Sequence, residues 1–326
     1  MRTWRVHELG EPTESMRLEE GPPPEVRPGG VVLDVEAVGL NFPDLLQVRG
    51  GYQVKPELPF TPGGEIAGVV SAVGEGVDVG RLGERVLMMG TAGLADQAAG
   101  PADKAFTLPD SMPFEKAAAL LSNYGTTWFA LHERARLQPG EVLLVHAAAG
   151  GIGSAAVQLG KAAGAMVIGT AGGPAKKATV AGLGADVAID YLAEDFVEAT
   201  KAATDGRGAD VVYDPVGGDT FDRSRRAIAW DGRLLVIGFT SGRIPEVPAN
   251  HVLLKNYSVV GVHWGASLGR DPSSLRRTYD ALCAEWDKGT IDPLVGDVLP
   301  LDGAAKGLER LGSRASVGKL VVRPTA

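Results

Sequence analysis

A glycine cluster that directly follows an apolar run is the clearest sign of chemistry in this sequence. Val142–Val145 comes after the turn signal Pro139-Gly140 and is typical of a buried parallel strand. The cluster spans residues 148–153, and a helical pattern continues from Ser154. Strand, glycine turn and helix in this order are the context in which a glycine pattern predicts a dinucleotide site.

The glycines have a physical role in such a site. Backbone N–H groups at a helix start can reach a pyrophosphate only where no side chain intervenes, and Gly150 and Gly151 remove those side chains. Gly153 lets the helix lie close to the strand, although Ala148 stands where the usual pattern has its first glycine. The residues expected to bind the pyrophosphate are Ala149, Gly150, Gly151, Ile152 and Gly153.

Two other interpretations of this stretch exist. Residues 142–160 contain no Lys, Arg, Asp or Glu and have about the length of a membrane span. The central Gly-Gly, His146 and Gln158 argue against a span. A tight strand–helix turn that binds nothing is the other alternative.

The end of the second expected strand indicates which nucleotide would bind. NAD sites place an acid there for the ribose hydroxyls, but this chain has Thr170, Ala171, Gly172 and Gly173. Lys176 and Lys177 follow, and a lysine without a nearby acid favours a 2′-phosphate. We therefore expect NADPH, with Lys176 at the phosphate, while one of the two lysines could simply lie on a solvated helix face.

Residues 39–52 interrupt an otherwise strand-rich region and carry Asn41, Asp44 and Tyr52. Excursions from a rigid scaffold are frequent locations of functional sites. Asn and Asp also cap helices, and for Asp44 capping is the favoured interpretation.

Composition limits the class of protein. The 326 residues are 44% hydrophobic and 22% charged, as in ordinary globular proteins. The net charge of −8 argues against nucleic acid or an anionic membrane as the main partner. Cys283 is the only cysteine, and the first residues contain no apolar signal region, so we expect a cytoplasmic protein.

The predicted secondary structure changes in pattern at about residue 122. Up to about residue 122, short strand-like runs separated by Pro and Gly predict an irregular, barrel-like β domain. From about residue 123, strands and helices alternate, which predicts a doubly wound, six-stranded parallel sheet. The expected strands of that sheet are 142–145, 166–170, 187–190, 211–213, 234–237 and 258–262.

After residue 262 the alternation ends, and the chain is expected to return to the first domain. This predicts one domain from residues 1–122 and 263–326 and another from residues 123–262. Leu275, Tyr279, Leu282 and Trp286 predict an amphipathic helix in the returning segment, and residues 318–322 predict a last strand.

The whole chain resembles the zinc-independent quinone oxidoreductases (zeta-crystallin-like) among the medium-chain dehydrogenases/reductases. The resemblance implies a GroES-like catalytic domain around a Rossmann domain, with the cofactor in the cleft between them. It also implies a homodimer joined through the last Rossmann strand. The motifs that carry it are NFPDLLQVRGGY (41–52), PFTPGGEIAGVV (59–70), SNYGTTWFAL (122–131), HAAAGGIGSAAVQLGKAAGA (146–165), GADVAIDY (184–191), VVYDPVGGDTF (211–221) and GKLVV (318–322).

The resemblance also implies roles for single residues. Tyr52 would face the substrate, and Asn41 and Thr127 would contact the nicotinamide end. Around the substrate pocket this chain has its own residues, Trp128, His263 and Trp264. The other implied cofactor contacts are Thr170, Gly172, Lys176, Tyr191, Val216, Phe239, Val262 and Lys319.

The zinc-dependent relatives have a Gly-His-Glu motif, and here Gly63-Gly64-Glu65 lacks the histidine. No cysteine stands nearby, so a catalytic metal is not expected and Glu65 is interpreted as structural. Catalysis would then depend on positioning the hydride donor, with Tyr52 as a proton donor and His263 as a second possible one.

The leading hypothesis is an NADPH-dependent reductase of quinones or α,β-unsaturated carbonyls. An enoyl-thioester reductase is a neighbouring possibility, although no basic patch for coenzyme A is evident. A non-enzymatic NADPH-binding protein is the alternative from another class.

Overall fold

The structure is a computed structural model that describes residues 1–90, 92–313 and 315–325. The chain divides into two compact units. The first contains Met1–Ser122 and Pro293–Ala326, and the second contains Asn123–Asp292.

The second boundary therefore differs from the expected one at residue 263. Residues 263–292 belong to the second unit because their side chains and backbone are bound there. The ring of Trp264 lies against Gly125, where an added Cβ would be 2.4 Å from it. Gln158 donates a hydrogen bond of 2.9 Å to the carbonyl of Asp292 and accepts one of 2.6 Å from its N–H.

The apolar runs of residues 1–122, which predict strands at 3–7, 17–20, 31–39, 66–73, 85–89 and 104–108, form strands close to those positions. The first unit also contains a strand at Gln97–Pro101 that was not predicted, because its Ala and Gly residues carry little β propensity. The elements are β1 (Arg2–Val6), α1 (Pro12–Ser15), β2 (Met16–Glu20), β3 (Gly30–Gly39), α2 (Phe42–Val48), β4 (Glu65–Val73), β5 (Arg85–Met89), β6 (Gln97–Pro101), β7 (Ala105–Thr107) and α3 (Phe114–Ala117), with 3₁₀ turns at Val79–Arg81 and Ala102–Lys104 and a π-helical turn at Leu121–Gly125.

Strands and helices alternate through the second unit as predicted. Its elements are α4 (Thr126–Trp128), a π-helical turn (Phe129–Arg134), β8 (Val142–Val145), α5 (Gly151–Ala162), β9 (Met166–Ala171), α6 (Pro174–Gly182), β10 (Val187–Asp190), α7 (Phe196–Ala202), β11 (Ala209–Asp214), α8 (Gly218–Ala227), β12 (Ile228–Val236), α9 (Ala249–Lys255), β13 (Ser258–Gly261), α10 (Trp264–Leu268) and α11 (Ser273–Asp287).

The chain then returns to the first unit through β14 (Val295–Pro300), a 3₁₀ turn (Leu301–Gly303), α12 (Ala304–Gly312) and β15 (Lys319–Arg323). The main sheet of this unit runs β14-β15-β3-β4-β5-β7, and β6 pairs with β3. β14 was not predicted, since its short run includes Gly and Pro and half of its residues are exposed. Because β15 joins β3, the first residue of β15 reaches the start of β4 and the end of β3.

The described strands of the second unit form a six-stranded parallel sheet in the order β10-β9-β8-β11-β12-β13. This confirms the predicted fold class. Successive strands are added outwards on one side from β8 to β10 and on the other side from β11 to β13, so the strand order reverses between β8 and β11. Ligands of such sheets bind beyond the carboxyl ends of the strands at that switch point. The segments that follow β8 and β11 are therefore the first places to look for a site.

β8 is buried along its whole length, as expected for a strand covered on both faces. α5 packs closely on it at Gly160, where an added Cβ would lie 2.6 Å from Leu143 and 3.0 Å from Val167. The uncharged stretch 142–160 is thus divided between a strand and a helix. Within the described ranges, no helix has the length and apolarity needed to cross a membrane.

Candidate functional site

The turn after β8 presents the start of α5 without a side-chain cap. Gly150 is the N-cap residue, with φ −84° and ψ 174°. The next N–H groups, those of Gly151, Ile152 and Gly153, belong to the first helical turn and have no acceptor within the helix. An added Cβ on Gly150 would approach only the carbonyl of Ala147, at 3.3 Å, so the protein leaves this position open. Such a terminus suits a phosphate group.

Gly153 has a different role in the same turn. An added Cβ there would lie 2.1 Å from the carbonyl oxygen of Ala147, which is far inside contact distance. Ala147 itself has a positive φ of 51°. The helix start can therefore lie on the turn only because residue 153 has no side chain.

The buried side chain of His146, at the start of this turn, connects it to β9 and α8. Its side chain is 1% exposed and bonds to Thr170 through Nδ1, at 2.9 Å, and to Ser224 through Nε2, at 2.8 Å. The Ser224 hydroxyl already donates to the Thr220 carbonyl, so Nε2 carries the imidazole proton and Nδ1 accepts from Thr170. Burial lowers the pKa of His146 to about 3, and the ring stays neutral.

This arrangement uses the side chain of Thr170, one of the predicted cofactor contacts. Thr170 is 2% exposed, and its hydroxyl donates to His146. Its carbonyl accepts from the N–H of Ala148 at 2.9 Å. Thr170 therefore holds β9 and the glycine turn together.

Beyond β9, the predicted adenosine end contains a glycine, a tyrosine and two lysines. An added Cβ on Gly172 would meet the Tyr191 hydroxyl at 2.7 Å, so the two residues are neighbours, and Tyr191 is 49% exposed. Lys177 pairs with Glu194 at 2.6 Å. Lys176 lies half-buried in the first turn of α6.

Asp190, at the end of β10, is a buried acid that the sequence motifs do not predict as a site residue. Its carboxylate accepts from the N–H of Gly173 at 2.8 Å and from that of Leu192 at 3.0 Å. The side chain is 8% exposed and closes the turns after β9 and β10. Its signal in the sequence is an apolar run that ends in Asp.

Asp214 ends β11 in the same way and lies at the switch point. Its Oδ1 accepts from the N–H of Val216 at 2.7 Å and from that of Gly217 at 3.0 Å. Its Oδ2 is buried with no hydrogen-bond partner in the described part of the chain. Burial raises the pKa of this carboxyl to about 6, against the two N–H donors that lower it. Asp214 thus shapes the loop that carries Val216, and the ring of Phe239 borders the same loop at Gly217.

The raised pKa of Asp214 gives a testable pH dependence. A folded-state pKa above the ordinary 3.8 means that the folded protein holds this proton more tightly, so the stabilisation is complete below about pH 4 and is lost as the pH rises through 6. Asp214→Asn keeps the acceptor and removes the titration. We expect the unfolding free energy of the wild type, relative to this variant, to fall by roughly 3 kcal/mol between pH 4 and pH 7 in denaturant titrations.

Asp271→Asn is the matched control. Arg277 and Ser273 bond the exposed Asp271 carboxylate and lower its pKa to about 2. For Asp271→Asn the difference should therefore change in the opposite direction and mainly between pH 2 and pH 4, so it should stay nearly constant from pH 4 to pH 7. A pH-independent difference for Asp214→Asn would contradict the assignment.

Thr127, predicted at the nicotinamide end, is fully buried. Its hydroxyl donates to the Asn123 carbonyl at 2.8 Å, so the Tyr213 hydroxyl, 2.9 Å away, donates to Thr127. Burial raises the pKa of Tyr213. Val262 is also bonded within the unit, with its N–H on the Val236 carbonyl at 3.1 Å.

The predicted substrate residues of the second unit differ in exposure. Trp264 is 4% exposed and packs over Gly125, and its indole N–H has no partner among the described residues. Trp128 is half-buried, with its ring 4.0 Å from that of His132, whose pKa is lowered by burial. His263 is exposed and precedes α10. Trp264 is thus a core residue, while Trp128 and His263 remain accessible.

In the first unit, Asn41, Glu65 and Lys319 form one buried network. Lys319 is 3% exposed and Glu65 is fully buried, and their ion pair measures 2.8 Å. Lys319 also donates to the Asn41 Oδ1, while the Asn41 amide donates to Glu65 at 3.3 Å and to the Gly39 carbonyl at 3.1 Å. The second Glu65 oxygen accepts from the N–H of Ser122 at 2.8 Å. The amide of Asn41 therefore has one orientation.

Asp44 caps α2 from within this region. Its carboxylate accepts from the N–H of Asn41 at 2.8 Å, which agrees with the capping interpretation. The side chain is 5% exposed, and burial raises its pKa to about 6. Asn41 is thereby fixed at both its backbone and its side chain.

Tyr52, the predicted proton donor, is half-buried in the loop after α2. It lines a cavity of about 270 Å³ in the first unit. Among the described residues, no group of three or more His, Cys, Asp or Glu side chains could hold a metal ion.

Comparisons with known families agree with both units. Residues 27–110 match the family "Alcohol dehydrogenase GroES-like domain", and residues 151–282 match the family "Zinc-binding dehydrogenase".

Individual proteins match over most of the chain. The quinone oxidoreductase-like protein 2 homolog of Nematostella vectensis is 41% identical over 88% of this chain and 80% of its own length. Quinone oxidoreductase-like protein 2 of Mus musculus is 34% identical over 98% of this chain and 92% of its own. The crystal structure of Escherichia coli quinone oxidoreductase complexed with NADPH has a TM-score of 0.91 at 32% identity and covers 99% of this chain and 100% of that one.

Proposed function

The chain belongs to the quinone oxidoreductase family of the medium-chain dehydrogenases/reductases, and we propose that it transfers hydride from NADPH to a quinone or to an α,β-unsaturated carbonyl. The uncapped N-terminus of α5 at the switch point of the parallel sheet is the observation that carries the proposal. A related protein of known structure, the Escherichia coli quinone oxidoreductase, was solved with NADPH.

The residues present fit NADPH. The open position at Gly150 and the N–H groups of residues 151–153 would hold the pyrophosphate. Lys176 and Tyr191 would bind the 2′-phosphate and the adenine. Asp190, the acid that ends β10, accepts two backbone N–H groups through Oδ1 and so serves the turns after β9 and β10. The contacts proposed for the rest of the cofactor are Asn41, Thr127, Thr170, Gly172, Val216, Phe239, Val262 and Lys319.

When bound, NADPH would supply the hydride, and a proton completes the two-electron reduction of a quinone to a hydroquinone. Tyr52 is the proposed donor to the oxygen on which negative charge develops. Lys319 and Glu65 hold the Asn41 amide in place, so Asn41 would need no rearrangement to contact the nicotinamide end of the cofactor. The proposal requires no metal ion.

Purified protein should oxidise NADPH in the presence of a panel of ortho- and para-quinones and simple enones, measured by the loss of nicotinamide absorbance. Turnover limited to enoyl thioesters would move the assignment to acyl metabolism. Tight NADPH binding without turnover of any acceptor would support a non-enzymatic protein.

Lys176→Ala should weaken NADPH about tenfold and leave NADH almost unchanged, since a charge-assisted bond to the 2′-phosphate would be lost. Equilibrium dissociation constants for both nucleotides give this ratio. Lys177→Ala is the matched control, because Lys177 lies in the same turn of α6 as Lys176 and forms an ion pair with Glu194. An unchanged ratio in Lys176→Ala would contradict the role of Lys176.

We also propose a cytoplasmic homodimer joined along β13. This strand pairs only with β12 among the described strands, so one edge of the sheet is open. α9 leads into it with Leu253 and Leu254 exposed by 79% and 70%. Sedimentation velocity should show a dimer for the wild type and a monomer for a variant with Glu at both positions. Leu192→Glu, at a leucine exposed by 74%, should remain dimeric.

A further inference from the structure

The cavity beside Tyr52 has mainly apolar walls. Its volume is about 270 Å³, and all of its lining residues belong to the first unit. They come from the loop before α1 and from α2 and the loop after it. Its lining includes Leu9, Gln47, Tyr52, Val54, Lys55 and Leu58.

Three of these side chains are large, apolar and exposed. Leu9 is 47% exposed, Val54 is 66% exposed and Leu58 is 45% exposed. A single exposed leucine is ordinary, but several around one concave surface indicate a surface that is covered by a ligand or partner. The concave shape and the small volume favour a small molecule.

One side of the cavity wall is held by a contact within the protein. Leu9 lies against Gly50, where an added Cβ would be 2.8 Å from the leucine Cδ1 and where φ is +73°. The end of α2 therefore holds Leu9 in place, since residue 50 needs both the positive φ and the absence of a side chain.

The polar side chains at the cavity can all donate hydrogen bonds, and the Tyr52 hydroxyl and the Gln47 amide oxygen can also accept them. Tyr52 contributes a hydroxyl, Gln47 an amide and Lys55 an ammonium group, whereas no acid is found among the described lining residues. Carbonyl oxygens suit such donors, and hydrocarbon suits the remaining wall. A molecule with a conjugated carbonyl head and a hydrocarbon chain matches both parts.

We propose that this cavity binds the hydrocarbon chain of the acceptor, while the carbonyl head lies at Tyr52. The inference rests on the proposed reductase function and narrows its substrate class to acceptors that carry an alkyl or prenyl chain. A quinone with a side chain and an enoyl thioester of a fatty acid share this chemistry.

The test compares a methyl-substituted benzoquinone with the same quinone bearing a decyl chain. The wild type should have a kcat/KM about tenfold higher for the decyl quinone, the gain expected for burying part of the chain. In Leu58→Gln and Val54→Asn the ratio of the two values should fall towards one. Val79→Asn is the control, since Val79 is 71% exposed in the same unit and does not line the cavity.

A second pair of acceptors, short-chain and long-chain enoyl thioesters, identifies the source of the chain. A chain preference that is abolished by Leu58→Gln in either series supports the site. Equal kcat/KM values for the two quinones and for the two thioesters, or a preference that survives in both cavity variants, would overturn it.

A binding measurement distinguishes failure of the cavity site from failure of the proposed reductase function. Titration of the decyl quinone, followed by isothermal calorimetry without NADPH, should give a dissociation constant that rises about tenfold in Leu58→Gln. That result without any turnover would reject the reductase and retain the site. Turnover of both quinones without a difference in binding would reject the site and retain the reductase.

Discussion

Replacing Lys319 by methionine is expected to lower the free energy of unfolding by about 3–5 kcal/mol. The ammonium group is 3% exposed and lies 2.8 Å from a carboxylate of Glu65 that is fully buried. Removing only the cation would leave that carboxylate in a low-dielectric interior, where an unpaired charge is costly. Denaturant titration of the wild type and the variant at neutral pH measures the loss.

Asp44 increases the penalty. Its carboxyl lies in the same region, and its pKa of about 6 reflects burial that Lys319 partly offsets. Without the cation, the pKa of Asp44 should rise further, and the variant should recover stability as the pH is lowered through 6. A loss that does not depend on pH would indicate that packing, and not charge, dominates.

Two further variants isolate the charge contribution. The double variant with Lys319→Met and Glu65→Gln should regain most of the lost stability, because no unpaired charge remains at that pair. Lys161→Met is the control for removing a lysine from a pair of the same length, since the pair with Asp186 also measures 2.8 Å but has both side chains more than one-third exposed. Its loss should stay below about 1 kcal/mol. Equal losses in Lys161→Met and Lys319→Met would refute the argument from burial.

The pair also shows where sequence reasoning ends. Lys319 and Glu65 are 254 residues apart, and neither has a neighbour in the sequence that suggests the other. The resemblance suggested that Lys319 contacts the cofactor and that Glu65 is structural, but the bond between them depends on β15 joining β3 beside β4. A contact of that kind follows from sheet topology, which local patterns do not encode.

Local patterns were sufficient for the glycine turn. The apolar run, the glycines and the helical period are contiguous, so the run with its turn signal predicted β8 and the helical spacing predicted α5. The same reasoning could not show that the Thr170 hydroxyl points to His146, because a hydroxyl direction depends on partners from another strand and from α8. Hence the loop that would hold the pyrophosphate was predictable, whereas the side chains that support the loop were not.

The boundary at residue 263 failed for a related reason. The end of the β–α alternation was interpreted as the return to the first unit, but α10 and α11 remain in the second one. The position of Trp264 over Gly125 depends on an indole ring meeting a glycine more than a hundred residues earlier in the chain. The end of the strand–helix alternation shows where the repeating pattern stops, but it does not show which unit the next helix packs against.

Gly150→Ala is expected to reduce NADPH affinity by at least about tenfold with little change in the free energy of unfolding. The backbone at residue 150 has φ −84° and ψ 174°, which alanine adopts readily, and the added Cβ would contact only the Ala147 carbonyl at 3.3 Å. The fold therefore accepts the methyl group with a shift of the Ala147 carbonyl by a few tenths of an ångström. A phosphate bound to the N–H groups of the next residues would clash with the methyl group, because the methyl would stand at the open face of the turn.

Gly153→Ala should differ from it by damaging both properties. Its Cβ would lie 2.1 Å from the Ala147 carbonyl, so the turn or the helix must move, and the loss of stability should be about 1–3 kcal/mol. Calorimetric titration with NADPH and thermal unfolding of both variants give the two readouts. If Gly150→Ala bound NADPH like the wild type, the pyrophosphate would not lie at this helix start.

The two glycines lie in one turn and differ in the space around an added Cβ. Gly150 leaves space that the protein does not fill, whereas Gly153 allows contact that the protein itself makes. A turn kept only for strand–helix packing would need Gly153 and would tolerate alanine at position 150 without consequence. Loss of affinity at unchanged stability in Gly150→Ala would therefore indicate that the open space is reserved for a ligand, and the ligand that suits a helix N-terminus is an anion.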